Sequence, residues 1–129
     1  MAKTILPSLV RVFAAPTFQT YPNFKSILRD FKYYKRLNHT QYETFKFGKD
    51  VTFNRPQSAL DAELSHVHMV ELESSKNTSD RFLVYSRGFN NPNYYIVLAI
   101  FEPNAHSMSR NNLLMSQLAQ MAEDFRQQF

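Results

Sequence analysis

Residues Tyr94 to Phe101 read YYIVLAIF, with no charge, glycine or proline until Glu102-Pro103 closes the run. A bilayer-spanning helix needs about 20 apolar residues, so this stretch is too short to cross a membrane. A half-buried strand would alternate apolar and polar positions, and here the alternation is missing. The pattern predicts a strand covered on both faces, and hence a central one in its sheet. Such a strand obliges the rest of the chain to supply a layer on each side. The 129 residues, 43% hydrophobic and 15% aromatic, are enough for one domain with a real core.

The remaining pattern supplies those layers. Residues 1–8 read as an irregular lead-in, and Leu9–Ala15 as a short strand ending at Pro16. In TYPNFKSILRDFKYYKRL, the residues Phe24, Ile27, Leu28, Phe31, Tyr34 and Leu37 recur at helical spacing. Thr20 or Asn23 is a candidate cap there, and Pro22 is tolerated in a first turn. Residues 38–62 suit a short second helix or an ordered loop, and Pro56 stops whatever precedes it. Ser65–Leu72, Arg81–Arg87 and Tyr94–Phe101 read as strands, joined by turn-rich segments short enough for hairpins. Leu114, Leu118, Met121, Phe125 and Phe129 predict a last helix, with Ser107 or Ser109 as its candidate cap. No repeat, low-complexity tract or linker divides the chain, so residues 1–129 read as a single α+β domain.

Composition narrows the chemistry. The chain has no cysteine, which excludes disulfides and thiolate metal sites. The opening MAKTILPSLVRVFAA is broken by Pro7 and Arg11, unlike the uninterrupted apolar centre of a signal peptide. A cytoplasmic protein without membrane attachment is expected. The net charge of +4 is uneven: residues 1–60 hold ten Lys/Arg against three Asp/Glu, and residues 61–129 hold five against eight. The basic half points to a polyanionic partner, RNA or DNA ahead of membrane. On the helix of residues 24–37, Lys25, Arg29, Lys32, Lys35 and Arg36 face only Asp30. That is either a solvated face or a surface that tracks phosphates.

There is no P-loop, GxSxG, HExxH or glycine-rich dinucleotide loop, and only Gly48 and Gly88 among glycines. Phosphate contacts must therefore come from side chains. ELSHVHMVEL places His66 and His68 on one side of a strand, and His106 follows the apolar strand. Three histidines could bind zinc and activate water. They could equally run metal-free RNA cleavage, in which one group takes the 2′-hydroxyl proton and another protonates the leaving 5′-oxygen. The bland alternative is that His66 and His68 are half-buried strand residues and His106 a strand-end cap. For the cleavage reading, Arg110 lies four residues beyond His106 and would share its face if a helix has begun. Arg81 and Arg110 would neutralise phosphate, and Tyr85 would contact a base or a phosphate.

Taken in order, several segments resemble the YafO family of bacterial toxins. They are DFKYYKR (30–36), FGKD (47–50), HVHM (66–69) and LVY (83–85). Pro103, His106, Arg110, Asn112 and Met115 follow, and then MAEDFRQQF (121–129). The resemblance runs from about residue 20 to residue 129, while Ser86 and Arg87 depart from the family pattern. It implies a RelE-like small domain: a central, mostly antiparallel sheet of about four strands, with N-terminal helical segments and a C-terminal helix. It also implies the toxin of a type II toxin–antitoxin system, a ribosome-dependent mRNA endoribonuclease held inactive by a cognate antitoxin. On this reading His106 is the first candidate for general acid or base, with His68 and then His66 as its partner. Arg110 and Tyr85 complete the catalytic candidates. Arg81, Lys25, Arg29, Lys32, Lys35, Arg36 and Lys49 are the candidate RNA contacts, toward ribosomal RNA of the A site and the message. No metal or other cofactor is expected. A non-catalytic ribosome-binding inhibitor and a metal-dependent hydrolase using His66, His68 and His106 are the alternatives.

Overall fold

The computed structural model describes residues 10–36, 47–70 and 80–129. Leu37, the lead-in at 1–8, residues 38–46 and the turn segment 74–79 lie outside them. Among the described residues there are ten elements: β1 (Arg11–Ala14), α1 (Pro16–Gln19), α2 (Phe24–Arg36), β2 (Phe47–Thr52), α3 (Gln57–Asp61), β3 (Ser65–Met69), β4 (Phe82–Arg87), β5 (Tyr94–Phe101), α4 (Ala105–Met108) and α5 (Asn112–Gln128). The strands form one sheet in the order β1-β5-β4-β3-β2. All neighbours are antiparallel except β1, which runs parallel to β5. The fold is α+β and consistent with the RelE-like domain, with five strands rather than four.

YYIVLAIF is a strand over the expected residues, but it is not the central one. β4 takes that place, between β5 and β3, and its first five residues are all buried. β5 feeds both cores, Leu98 and Phe101 on one face and Val97 on the other. Covering on both faces is therefore legible in β5, but the number of strands beside it is not. β4 hides its centrality behind polar atoms that find internal partners. Ser86 is fully buried, with its hydroxyl donating to the Ala62 carbonyl at 2.7 Å.

Residues 47–52 form a strand where a short helix or loop was expected. The register slips between Phe47, opposite Met69, and Asp50, opposite Val67. That irregularity removes the two-residue period by which a strand is recognised. At the other end, the last helical region divides. α4 ends at Met108, and α5 starts with Asn111 as its cap, not Ser107 or Ser109; the Asn111 side chain accepts from Leu114 N–H at 3.0 Å. His106 and Arg110 therefore do not share a helix face.

The sheet is sandwiched. α1 and α2 cover one face through Phe18, Phe31 and Tyr34, which pack on Val67, Leu83 and Val97. α3, α4 and α5 cover the other through Ala59, Ala105, Met115, Leu118 and Ala122, which pack on Val84 and Leu98. Which face a strand residue occupies decides which site it can join.

Candidate active site

His66 and His68 lie opposite Val84 and Phe82 in the β3–β4 ladder, and so face the layer of α3, α4 and α5. Phe82 is the hub. Its ring is 4.4 Å from that of His66, 4.6 Å from that of His68 and 4.9 Å from that of His106. The imidazoles are 5.5 Å apart for His66 and His68, and 6.1 Å apart for His68 and His106. The three histidines singled out from the sequence are thus brought together around one phenyl ring.

Their environments differ. His66 stacks on Phe53 at 4.3 Å, and its Nδ1 is buried without a hydrogen-bond partner among the described residues. Burial, reinforced by the neighbouring His68, pushes its pKa down from 6.5 to about 4. His66 is therefore a neutral imidazole at physiological pH. His68 is buried, and His106 is exposed in the first turn of α4. His106 is held by Asp80, whose Oδ1 lies 2.6 Å from His106 Nδ1 and accepts the His106 main-chain N–H at 3.0 Å. Those two bonds hold the Asp80 carboxyl below the usual carboxylate range. Sequence reasoning passed over Asp80 as the last residue of a turn-rich segment. Its role depends on the start of β4 lying beside the end of β5, which no local pattern shows.

The other candidates do not join this cluster. Arg110 is exposed in the turn between α4 and α5, with its main-chain N–H on the Ser107 carbonyl at 3.1 Å. Tyr85 points to the opposite face, under α2, and is buried. There its hydroxyl donates to Asp50 Oδ1 at 2.6 Å and accepts from Lys35 Nζ at 2.9 Å, while Lys35 also reaches Asp50 Oδ2 at 3.0 Å. Burial, then the Asp50 charge, raises the pKa of Tyr85, so its hydroxyl stays protonated. Lys35, expected on the solvent-facing basic stripe, is only 6% exposed. Its ammonium lies 4.5 Å from the Tyr85 ring and 5.1 Å from that of Tyr95. The aromatic and carboxylate partners account for its inward turn, and burial lowers its pKa against the pull of Asp50. Lys25, Arg29, Lys32, Arg36 and Lys49 are exposed as expected. Arg81, a candidate phosphate ligand, is engaged on the α2 side by Glu102 (Nε to Oε1, 2.5 Å) and by the Tyr21 hydroxyl at 3.1 Å.

Near Lys35 and Tyr85 opens a cleft of about 310 Å³, walled by Thr52, Ser65, Arg87 and Tyr95. Among the described residues no group of three or more His, Asp or Glu is arranged to hold a metal ion. No helix among them is long and apolar enough to cross a membrane.

The sheet, its two helical layers and the histidine cluster define a small α+β protein with three imidazoles and a carboxylate gathered on one sheet face. The family model described as toxin YafO, type II toxin–antitoxin system, matches residues 32–127. The chain belongs to that toxin family, and membership implies an antitoxin partner. A curated relative, the mRNA interferase toxin YafO of Escherichia coli (strain K12), is 28% identical over 96 residues, covering 64% of this chain and 72% of the relative. No solved structure matches.

Proposed function

We propose that this toxin is an mRNA endoribonuclease that acts on the translating ribosome by metal-free transesterification. The observation that carries the reading is the set of three imidazoles around Phe82, one of them seated on a carboxylate; the name of the curated relative supports it. In the reaction the 2′-hydroxyl loses its proton to a base and its oxygen attacks the adjacent phosphorus. The P–O5′ bond breaks, and an acid returns a proton to the 5′-oxygen. The products are a 2′,3′-cyclic phosphate and a 5′-hydroxyl. His106, exposed and backed by Asp80, takes the 2′-hydroxyl proton. His68, whose ring lies 6.1 Å from that of His106, returns the proton, and His66 orders the site as a neutral ring. Arg110, exposed beyond α4, offers charge to the phosphate. The ribosome supplies the remaining orientation, which can account for much of a barrier. Exposed cations of α2 contact ribosomal RNA.

Inducing wild type and His106→Ala in cells and mapping mRNA ends tests this. Wild type creates new ends only while translation runs, and His106→Ala creates none. Growth arrest by wild type without new ends would replace the nuclease with an inhibitor acting by occupancy. Cleavage in a translating extract, lost on chelation and restored specifically by zinc, would sink the metal-free route.

A further inference from the structure

We propose that Asp80 is the positioning residue of His106, holding the imidazole by its Nδ1–H so that Nε2 presents a bare lone pair to the reacting nucleotide. The inference rests on the nuclease reading above and deepens it.

One carboxylate oxygen of Asp80 meets two nitrogens of His106, the main-chain N at 3.0 Å and Nδ1 at 2.6 Å. An ionised carboxylate only accepts hydrogen bonds, so Nδ1 carries the hydrogen and Nε2 of the neutral ring is the acceptor. The main-chain carbonyl of Asp80 also takes the Ala105 N–H at 3.2 Å. Residue 80 therefore holds both the backbone and the ring at the start of α4. Its neighbour acts from the other face of the sheet, where Arg81 pairs with Glu102 at 2.5 Å. Consecutive residues thus tether the two ends of the 102–106 turn.

Stability does not explain the pair. The His106 and Asp80 side chains are 60% and 50% exposed, and exposed ion pairs contribute little to folding. Orientation does explain it. A free imidazole can present either nitrogen, whereas this one is committed. When Nε2 takes the 2′-hydroxyl proton, the imidazolium so formed lies against a carboxylate that keeps its charge, as in the hydrolase triads.

The test uses the full chain as wild type, Asp80→Ala, Asp80→Asn and His106→Ala. The readouts are ¹⁵N NMR of the His106 ring in its neutral form, turnover on a reporter mRNA in a translating extract, and urea unfolding. Wild type shows hydrogen on Nδ1, and Asp80→Ala shifts the ring toward the Nε2–H form that a free imidazole favours. Turnover of Asp80→Ala falls on the order of a hundredfold, the cost of a misplaced group, with KM within about twofold. Asp80→Asn, which keeps an acceptor without charge, falls between. The unfolding midpoint stays near wild type, as a purely structural role would not allow. An unchanged tautomer in Asp80→Ala overturns the proposal, and so does a changed tautomer with wild-type turnover. A tautomer switch in Asp80→Ala with a wild type that never cuts mRNA overturns the nuclease reading and the catalytic half of the proposal together, leaving only the hold on the ring.

Discussion

His66 stands between the rings of Phe53 and Phe82, at 4.3 and 4.4 Å, with a buried Nδ1. An imidazole placed there resists protonation, and folding becomes linked to pH. The folded pKa of about 4 lies below the ordinary 6.5, so between these values the unfolded chain binds more proton than the folded one. The His66 contribution is complete above pH 6.5 and is lost as pH falls toward 4. After allowance for partial exposure it is on the order of 2 kcal/mol. Urea unfolding of wild type and His66→Leu across that range measures it: the stability of wild type relative to the variant should fall by about this amount as pH falls. A constant difference would mean that His66 titrates normally. The alternation of β3 made it legible that His66 and His68 share a side. The stack on Phe53 and the Asp80–His106 pair were not legible, because both join residues from different strands and turns whose register no local pattern records.

Three elements meet at Asp50. From β2 its carboxylate accepts Lys35 Nζ of α2 at 3.0 Å, the Tyr34 hydroxyl of α2 at 3.0 Å and the Tyr85 hydroxyl of β4 at 2.6 Å. The irregular register that made residues 47–52 hard to read also accompanies this placement of Asp50. Replacing Asp50 by Ala removes the acceptor that a buried ammonium and two hydroxyls share. Breaking a buried pair this way costs about 3 kcal/mol or more. Urea denaturation should show that loss for Asp50→Ala, and adding Lys35→Met should restore part of it by removing the buried charge. No recovery would show that the hydroxyls, and not the ammonium, carry the penalty. At this scale β3, β4 and β5, the stripes of α2 and the length of α5 were readable, because each repeats one local period. Lys35 was misplaced because charge type alone sets a lysine on the solvent side, while here tertiary partners outweigh that preference.

Seen whole, the molecule separates two features that its sequence lists side by side. α2 covers one face of the sheet, with Lys25, Arg29, Lys32 and Arg36 on its exposed side, and the histidines line the other face. On the proposed reading, RNA gripped by α2 is therefore not the RNA that the histidines reach. Reversing Lys25, Arg29, Lys32 and Arg36 to Glu should weaken binding to purified ribosomes and flatten its salt dependence. The histidine ring signals in NMR should stay unmoved. Movement of those signals, or unchanged binding, would join the two surfaces or remove α2 from docking. The uneven charge of the two halves foretold a basic surface, but the sheet that divides it from the histidines appears only once the strand order is known.

The parallel pairing of β1 with β5 joins Arg11–Ala14 to Tyr94–Val97. Strand partners so distant along the chain cannot meet until translation has passed Val97, and such non-local contacts form slowly. The histidine surface needs β3 and β4 in place and His106 beyond β5. A ribosome synthesising this toxin therefore carries a chain without its complete histidine surface until synthesis has passed His106.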